Sequence, residues 1–251
     1  MKIVTILCQK GGVGKTTFTV NLGKILSNRG FKTLIIDTDP QGNVSTYLNF
    51  NKDEESIINS TDLLEKNYDK KIGSLSENLY IIPSNKSILK HNEEKIIGGP
   101  KLNRAKDFLD SHQFDLVLID TPPTISSLTQ EALAASDHYL IPAKPEFLAV
   151  EGVSQAMRFA KITISSIKKA DPIFLGVVLN QVDTRRASFK DFENELKFLL
   201  SDKMFNSKIS QLTEIADSPF YSKTVLDFKE QSRARLEFLE FSNEFIERVG
   251  L

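Results

Sequence analysis

Short runs of β-branched and other apolar residues alternate along this chain with longer stretches in which apolar residues recur at three- and four-residue steps. That alternation predicts a parallel sheet covered by helices. Strands are expected at "KIVTILC", "KTLIID", "LYIIP", "FDLVLID", "HYLIPA" and "IFLGVVLN", and helices over 15–29, 84–95, 100–112, 128–136, 150–169, 187–201 and 228–249. In the helix over 187–201, Phe189, Phe192, Leu196 and Leu199 form one core-facing stripe. In the last helix Phe238, Phe241, Phe245 and Val249 share one face, which reads as core packing, and Glu237, Glu240, Glu244 and Glu247 share another. Residues 49–78 are polar and weakly periodic, which predicts a surface excursion after the second strand and not a domain boundary. Residues 1–251 are therefore expected to form a single α/β domain, a mostly parallel sheet flanked by helices on both faces.

Composition narrows the picture without pointing to chemistry. With 40% hydrophobic and 26% charged residues the chain is ordinary for a globular protein, and 251 residues can bury a sizeable core. Net charge is -1 and the pI is near 6.3, so affinity for nucleic acid has to come from a local patch. The single cysteine, Cys8, excludes an internal disulfide framework and a cysteine-clustered metal site within one chain, and it fits a reducing cytoplasm. No apolar run is long enough to span a bilayer, and a first strand starting at Lys2 leaves no room for a signal peptide. His91, His112 and His138 are scattered, without metal-ligand spacing.

Chemistry concentrates in "CQKGGVGKTTF", residues 8–18. The loop lies between an apolar strand and a predicted helix, the context in which a glycine-rich loop cradles phosphates. Its backbone N–H groups over Gly11, Gly12, Val13, Gly14, Lys15, Thr16 and Thr17 are expected to converge on them. Lys15 should reach the β- and γ-phosphates, and the Thr16 hydroxyl should ligate Mg²⁺. The common pattern G-x-x-x-x-G-K-[ST] is broken at Gln9, and a second lysine, Lys10, follows. Asp37 and Asp39 close the second strand in "LIIDTDPQGN", with Asp39 expected at the carboxyl end of the sheet beside the phosphates. Asp-Pro-Gln-Gly is also ordinary turn chemistry, and both readings hold together. "FDLVLIDTPP" ends in Asp120, a carboxylate placed to hold Mg²⁺ through water.

Together, "KGGVGKTT", "IIDTDPQGN", "FDLVLIDTPP" and "YLIPAKPEFLAVEGV" resemble the deviant Walker A ATPases of the ParA and MinD type, and most closely the ParA partition proteins. The resemblance runs from Lys2 to about the last helix and implies a P-loop fold that uses ATP and Mg²⁺. It further implies an ATP-bound homodimer in which Lys10 crosses the interface to the partner's nucleotide. Asp39 would position the attacking water and take part in the metal site, Asp120 would be the Mg²⁺-associated residue, and Asn180 would contact the adenine. The implied activity is a slow ATPase stimulated by a ParB-like partner, serving plasmid or chromosome segregation. Hydrolysis would release the dimer from nonspecific DNA, held through Arg185 and Arg186 in a cytoplasmic, nucleoid-associated protein.

The chain departs from the family pattern "IPRxVRLSEAPxxGKP", which falls in register on "ISQLTEIADSPFYSKTV". Gln211 and Glu214 occupy the arginine positions and Ser210 a proline position, which weakens the usual DNA surface. One alternative is a MinD-like ATPase that positions itself on a membrane or a protein cargo; the glutamate-bearing last helix opposes binding to anionic lipid, so no membrane partner is expected. Another is an ATP-dependent metabolic enzyme, disfavoured by the "DPQGN" and "PEFLAVEG" segments. No N-terminal helix-turn-helix extension is expected before the first strand.

Overall fold

The apolar runs become strands of one sheet in the computed structural model, which describes residues 1–251 apart from 95, 97, 98, 147, 148 and 168–170. The strands are β1 (Lys2–Ile6), β2 (Thr33–Asp37), β3 (Gly73–Ser76), β4 (Leu79–Ile82), β5 (Leu116–Asp120), β6 (His138–Ala143), β7 (Ile173–Val182) and β8 (Met204–Ser210). Among the described residues they lie in the order β3-β4-β2-β5-β1-β6-β7-β8, all parallel except β3, which is antiparallel to β4. The helices are α1 (Lys15–Asn28), α2 (Asn43–Tyr47), α3 (Ser60–Glu65), α4 (Lys106–Ser111), α5 (Ser127–Ala135), α6 (Ala149–Ser166), α7 (Ala187–Leu200), α8 (Thr213–Asp217) and α9 (Arg233–Val249).

The central strands read as continuous apolar runs because both faces of the sheet are covered. Val4, Ile6, Ile35, Leu116 and Leu118 point to a core shared with α1 and α9, whereas Ile3, Leu34, Ile36, Val117 and Ile119 point to the opposite core with α3, α4 and α5. Beyond β6 that second face is covered by α6 and α7. The α9 stripe is core: Phe238, Phe241 and Phe245 are fully buried, and the Phe18 ring of α1 lies 5.4 Å from Phe238 and 4.9 Å from Phe241. The fold is the expected α/β P-loop architecture.

Several elements differ from expectation. The helix expected over 84–95 is a 3-10 turn, Lys86–His91, and that over 100–112 is a 3-10 turn, Leu102–Ala105, followed by the short α4. The predicted helix ends at 95 and 168–169, and residues 147 and 148 of "PEFLAVEG", lie outside the described residues. Residues 49–78 are not a mere surface excursion. Ile58 and Leu63 are fully buried, and the segment supplies α3, β3 and part of the second core. Its local signal was Asn59 with Asp62 three residues on, a reciprocal capping box at the start of α3.

The glutamate face of α9 is also not simply solvated. Glu237 accepts from the Ser210 N–H and hydroxyl at 2.6 and 2.7 Å, and Glu244 accepts from the Asn206 and Ser207 N–H groups at 3.0 and 2.9 Å. These carboxylates occupy donors along β8, the strand at one end of the sheet, where unpaired N–H groups invite association. The "MFNSKIS" run of β8 lacks a continuous apolar pattern because it carries Ser207 and Ser210, whose hydroxyls bond Glu244 and Glu237 of α9. A proline at position 210 could not make the N–H bond to Glu237. The helix itself starts at Arg233 and not at 228, capped by the Ser232 side chain.

Candidate nucleotide site

Strand order reverses around β1, whose neighbours are β5 and β6, and the loop after β1 opens at the carboxyl ends of the strands, where open α/β sheets bind ligands. The loop is held in shape by Gly12 at φ 73° and Gly14 at φ 100°. Gly14 also has no room for a side chain, since a Cβ there would lie 2.1 Å from Asn180 Nδ2. Gly14 is the N-cap of α1, with no side chain capping the helix and no acidic residue in its first turn. The first N–H groups and the positive end of the helix dipole are thereby left for an anion.

A cleft of about 380 Å³ adjoins this loop, lined by Gly11, Gly12, Gly14, Lys15, Thr16 and Thr17, with Asp39 and Pro123 from the loops after β2 and β5. Asn43, Thr46 and Tyr47 of the α2 region, Gln181 at the end of β7, and Pro219 complete the wall. These last residues were not singled out in the sequence. Two of them had a local signal: Asn43 ends the "IIDTDPQGN" motif, and Pro219 lies in the "ADSPFYSK" segment aligned with the family pattern.

Lys15 is buried and its Nζ lies 3.5 Å from the Lys10 carbonyl, across the loop. Thr16 Oγ1 donates to Asp120 Oδ2 at 2.7 Å, and Thr19 Oγ1 lies 3.3 Å from Oδ1. Asp120 is fully buried behind Thr16. Burial pushes its carboxyl up to about 6, opposed by the Thr16 hydrogen bond and the Lys15 charge. Asp37 pairs in register with Asp120 on the adjacent strand. Its carboxyl is also raised well above the usual range, by burial first and then by the Asp120 charge. Asp37 accepts the N–H groups of Asp39 and Val44, so it braces the turn into α2. Asp39 is the aspartate that reaches the cleft, with Oδ1 accepting the Gln41 N–H at 2.9 Å.

The remaining expected residues are not among those lining the cleft. Lys10 points out of the cradle, 40% exposed, with Nζ 2.9 Å from Glu146 Oε2. Lys144 also pairs with Glu146, and these two cations hold the Glu146 carboxyl below its usual range. Val13 and Asn180 are buried under the loop, where Asn180 Nδ2 donates to the Val13 carbonyl at 2.7 Å. Arg185 is 89% exposed and forks onto Asp183 at 2.8 and 3.0 Å; Arg186 approaches the same carboxylate at 3.9 Å. Gln211 is exposed. Glu214 accepts the Ala234 N–H at 3.3 Å, so it helps to cap α9 as well as adding negative charge.

A family model described as "AAA domain" matches residues 1–174. The chain is 30% identical over 251 residues to the sporulation initiation inhibitor protein Soj of Bacillus subtilis, covering 97% of each chain. It is 29% identical over 254 residues to the chromosome partitioning protein ParA of Caulobacter vibrioides, covering 99% of this chain and 95% of the relative. Its fold is similar to that of a putative plasmid partition protein from Borrelia burgdorferi bound to AMPPNP, with a TM-score of 0.81 at 24% identity, covering 98% of this chain and 99% of the other. It is similar, too, to cobyrinic acid a,c-diamide synthase from Mycobacterium smegmatis with bound ADP and magnesium, with a TM-score of 0.80 at 23% identity, covering 98% and 94%.

Proposed function

This chain belongs to the AAA-domain family, as a ParA-type partition ATPase of the ParA/MinD group, and from that membership we propose that it is a switch whose ATP-bound form is a homodimer that holds DNA. Hydrolysis, slow until a ParB-like partner accelerates it, would return the dimer to monomers and release the track. The observation that carries this reading is the different placement of the two loop lysines: Lys15 is buried across the cradle, whereas Lys10 is half exposed and pairs with Glu146. A cation outside its own cradle is available to the phosphates of a second copy once it leaves Glu146.

Within one subunit the free N–H groups at the start of α1 would bind the phosphates, with Lys15 as counter-charge. Thr16, oriented by its hydrogen bond to Asp120, keeps an oxygen lone pair for a cation, and with Asp39 and Asp120 it forms the hard-oxygen environment that suits Mg²⁺. Mg²⁺ bound there would offset charge on the phosphate oxygens. Asp39, at the cleft wall, would orient the attacking water. Asn180 has committed its amide nitrogen to the loop, which leaves its carbonyl oxygen for any adenine contact.

DNA retention would draw on Arg185 and Arg186, reduced by the Asp183 fork and by Gln211 and Glu214. The reading is tested by light scattering and DNA co-sedimentation with ATP, with ADP and without nucleotide, across a salt series. Mass doubling and DNA retention confined to the ATP state are expected. A chain that remains monomeric at saturating ATP and Mg²⁺ would sink the dimer switch, and a dimer that ignores DNA would restrict the proposal to a protein track.

A further inference from the structure

The end of β7 grips the phosphate loop at two successive peptide groups. Asn180 Nδ2 donates to the Val13 carbonyl at 2.7 Å, and Gln181 Nε2 donates to the Gly12 carbonyl at 2.9 Å. In a regular strand neighbouring side chains point to opposite faces, so consecutive residues do not reach the same loop. Here Gln181 adopts φ 53°, in the left-handed region that non-glycine residues seldom enter. The β7–β8 register shifts between Leu179 and Val182, across the same residue. The break in alternation turns the Gln181 side chain onto the loop beside that of Asn180. A residue kept in so unfavourable a conformation next to a binding cleft is an observation from which function can be argued.

The peptide plane makes this grip directional. A trans peptide fixes its C=O and N–H on opposite sides of a rigid unit. Pinning the Gly12 carbonyl pins the Val13 N–H, and pinning the Val13 carbonyl pins the Gly14 N–H, both turned away from the amides of β7. A flip of either peptide would exchange a donor for a carbonyl oxygen, which repels an anion. Gly12, at φ 73° with open space around it, offers little steric resistance to such a flip.

We propose that Gln181 is a positioning residue of the nucleotide site, the outer half of a two-amide clamp that keeps the Gly12–Val13 peptide in its phosphate-binding orientation. The ligand class is a nucleoside di- or triphosphate, and the proposal rests on the ATP-binding reading above. Gln181→Met keeps the length and removes the donor. Gln181→Gly removes the side chain and relieves the left-handed backbone, so it should melt no lower than the parent protein.

Displacement of a fluorescent ADP by ADP and by ATP is the primary measurement, with melting temperature and hydrolysis kinetics alongside. Both variants should lose about three- to tenfold in affinity for ADP and ATP, the range for one hydrogen bond. They should show the loss in KM with kcat little changed, and Gln181→Gly should keep its melting temperature. Variants that bind both nucleotides as tightly as the parent would overturn the clamp while leaving the nucleotide site standing. Affinity lost only in step with melting temperature would overturn it as well, as an effect on folding. A parent protein that bound no nucleotide would bring down the underlying reading and this proposal with it.

Discussion

Replacing Asp120 with asparagine removes a charge from a place where ionisation is costly in the nucleotide-free protein. The carboxyl is fully buried and raised to about 6 against an ordinary value of 3.8. A displacement of that size corresponds to about 3 kcal/mol. Because the folded value is the higher one, the folded protein holds more protons than the unfolded chain between about pH 4 and pH 6. Stability therefore falls as pH rises through that window, and the cost is fully present at pH 8. Asparagine keeps an acceptor for Thr16 but turns an NH₂ group toward Thr19, whose hydroxyl also bonds the Lys15 carbonyl at 3.0 Å. Allowing about 1 kcal/mol for that disturbed contact leaves a gain of about 2 kcal/mol at pH 8. For a chain of this length the gain raises Tm by about 5 °C. The assay is thermal unfolding without nucleotide at pH 4.5 and pH 8, repeated with ATP and Mg²⁺. Asp120→Asn should be the more stable protein at pH 8, lose that advantage at pH 4.5, and gain less than the parent from ATP with Mg²⁺. A variant less stable than the parent at pH 8, or a difference that does not change with pH, would refute the reasoning.

Lys15→Ala should weaken monomeric ADP binding by more than tenfold, whereas Lys10→Ala should leave it nearly unchanged and abolish ATP-dependent dimerisation; fluorescent-nucleotide titration and light scattering separate the two. Glu146→Ala, which frees Lys10 from a half-exposed ion pair worth about 0–1 kcal/mol, should lower the ATP concentration needed for dimerisation by a few-fold at most. Asp39→Ala should trap an ATP-bound dimer, and persistent monomers at saturating ATP and Mg²⁺ would move Asp39 out of the hydrolytic step. Phe241→Ala empties the contact between α1, α9 and β8 and should cost about 3–5 kcal/mol in urea unfolding. Gln211→Arg is the cleaner charge gain on the proposed DNA surface, because Glu214 also caps α9; if that surface holds DNA, the variant should strengthen ATP-dependent retention and steepen the log-log salt slope by roughly 0.9.

Local sequence determined the central strands, the phosphate loop with α1, and the apolar stripe of α9. Each is encoded in residues within a few positions of one another: β-branched runs, glycines where backbone angles require them, and a three- and four-residue repeat. What the sequence could not decide were partners brought together by strand order. Lys10 meets Glu146 across 136 positions, and Asn180 meets Val13 across 167, because β6 and β7 follow β1 in the sheet. The same holds for β8, whose polar residues became legible only once Glu237 and Glu244 lay along its backbone. Glu214 stands at an arginine position of the family pattern, yet in the structure its carboxylate serves a helix terminus 20 residues away. Periodicity reports which face of an element is buried, but the identity of the group opposite a charged side chain depends on how the faces are assembled.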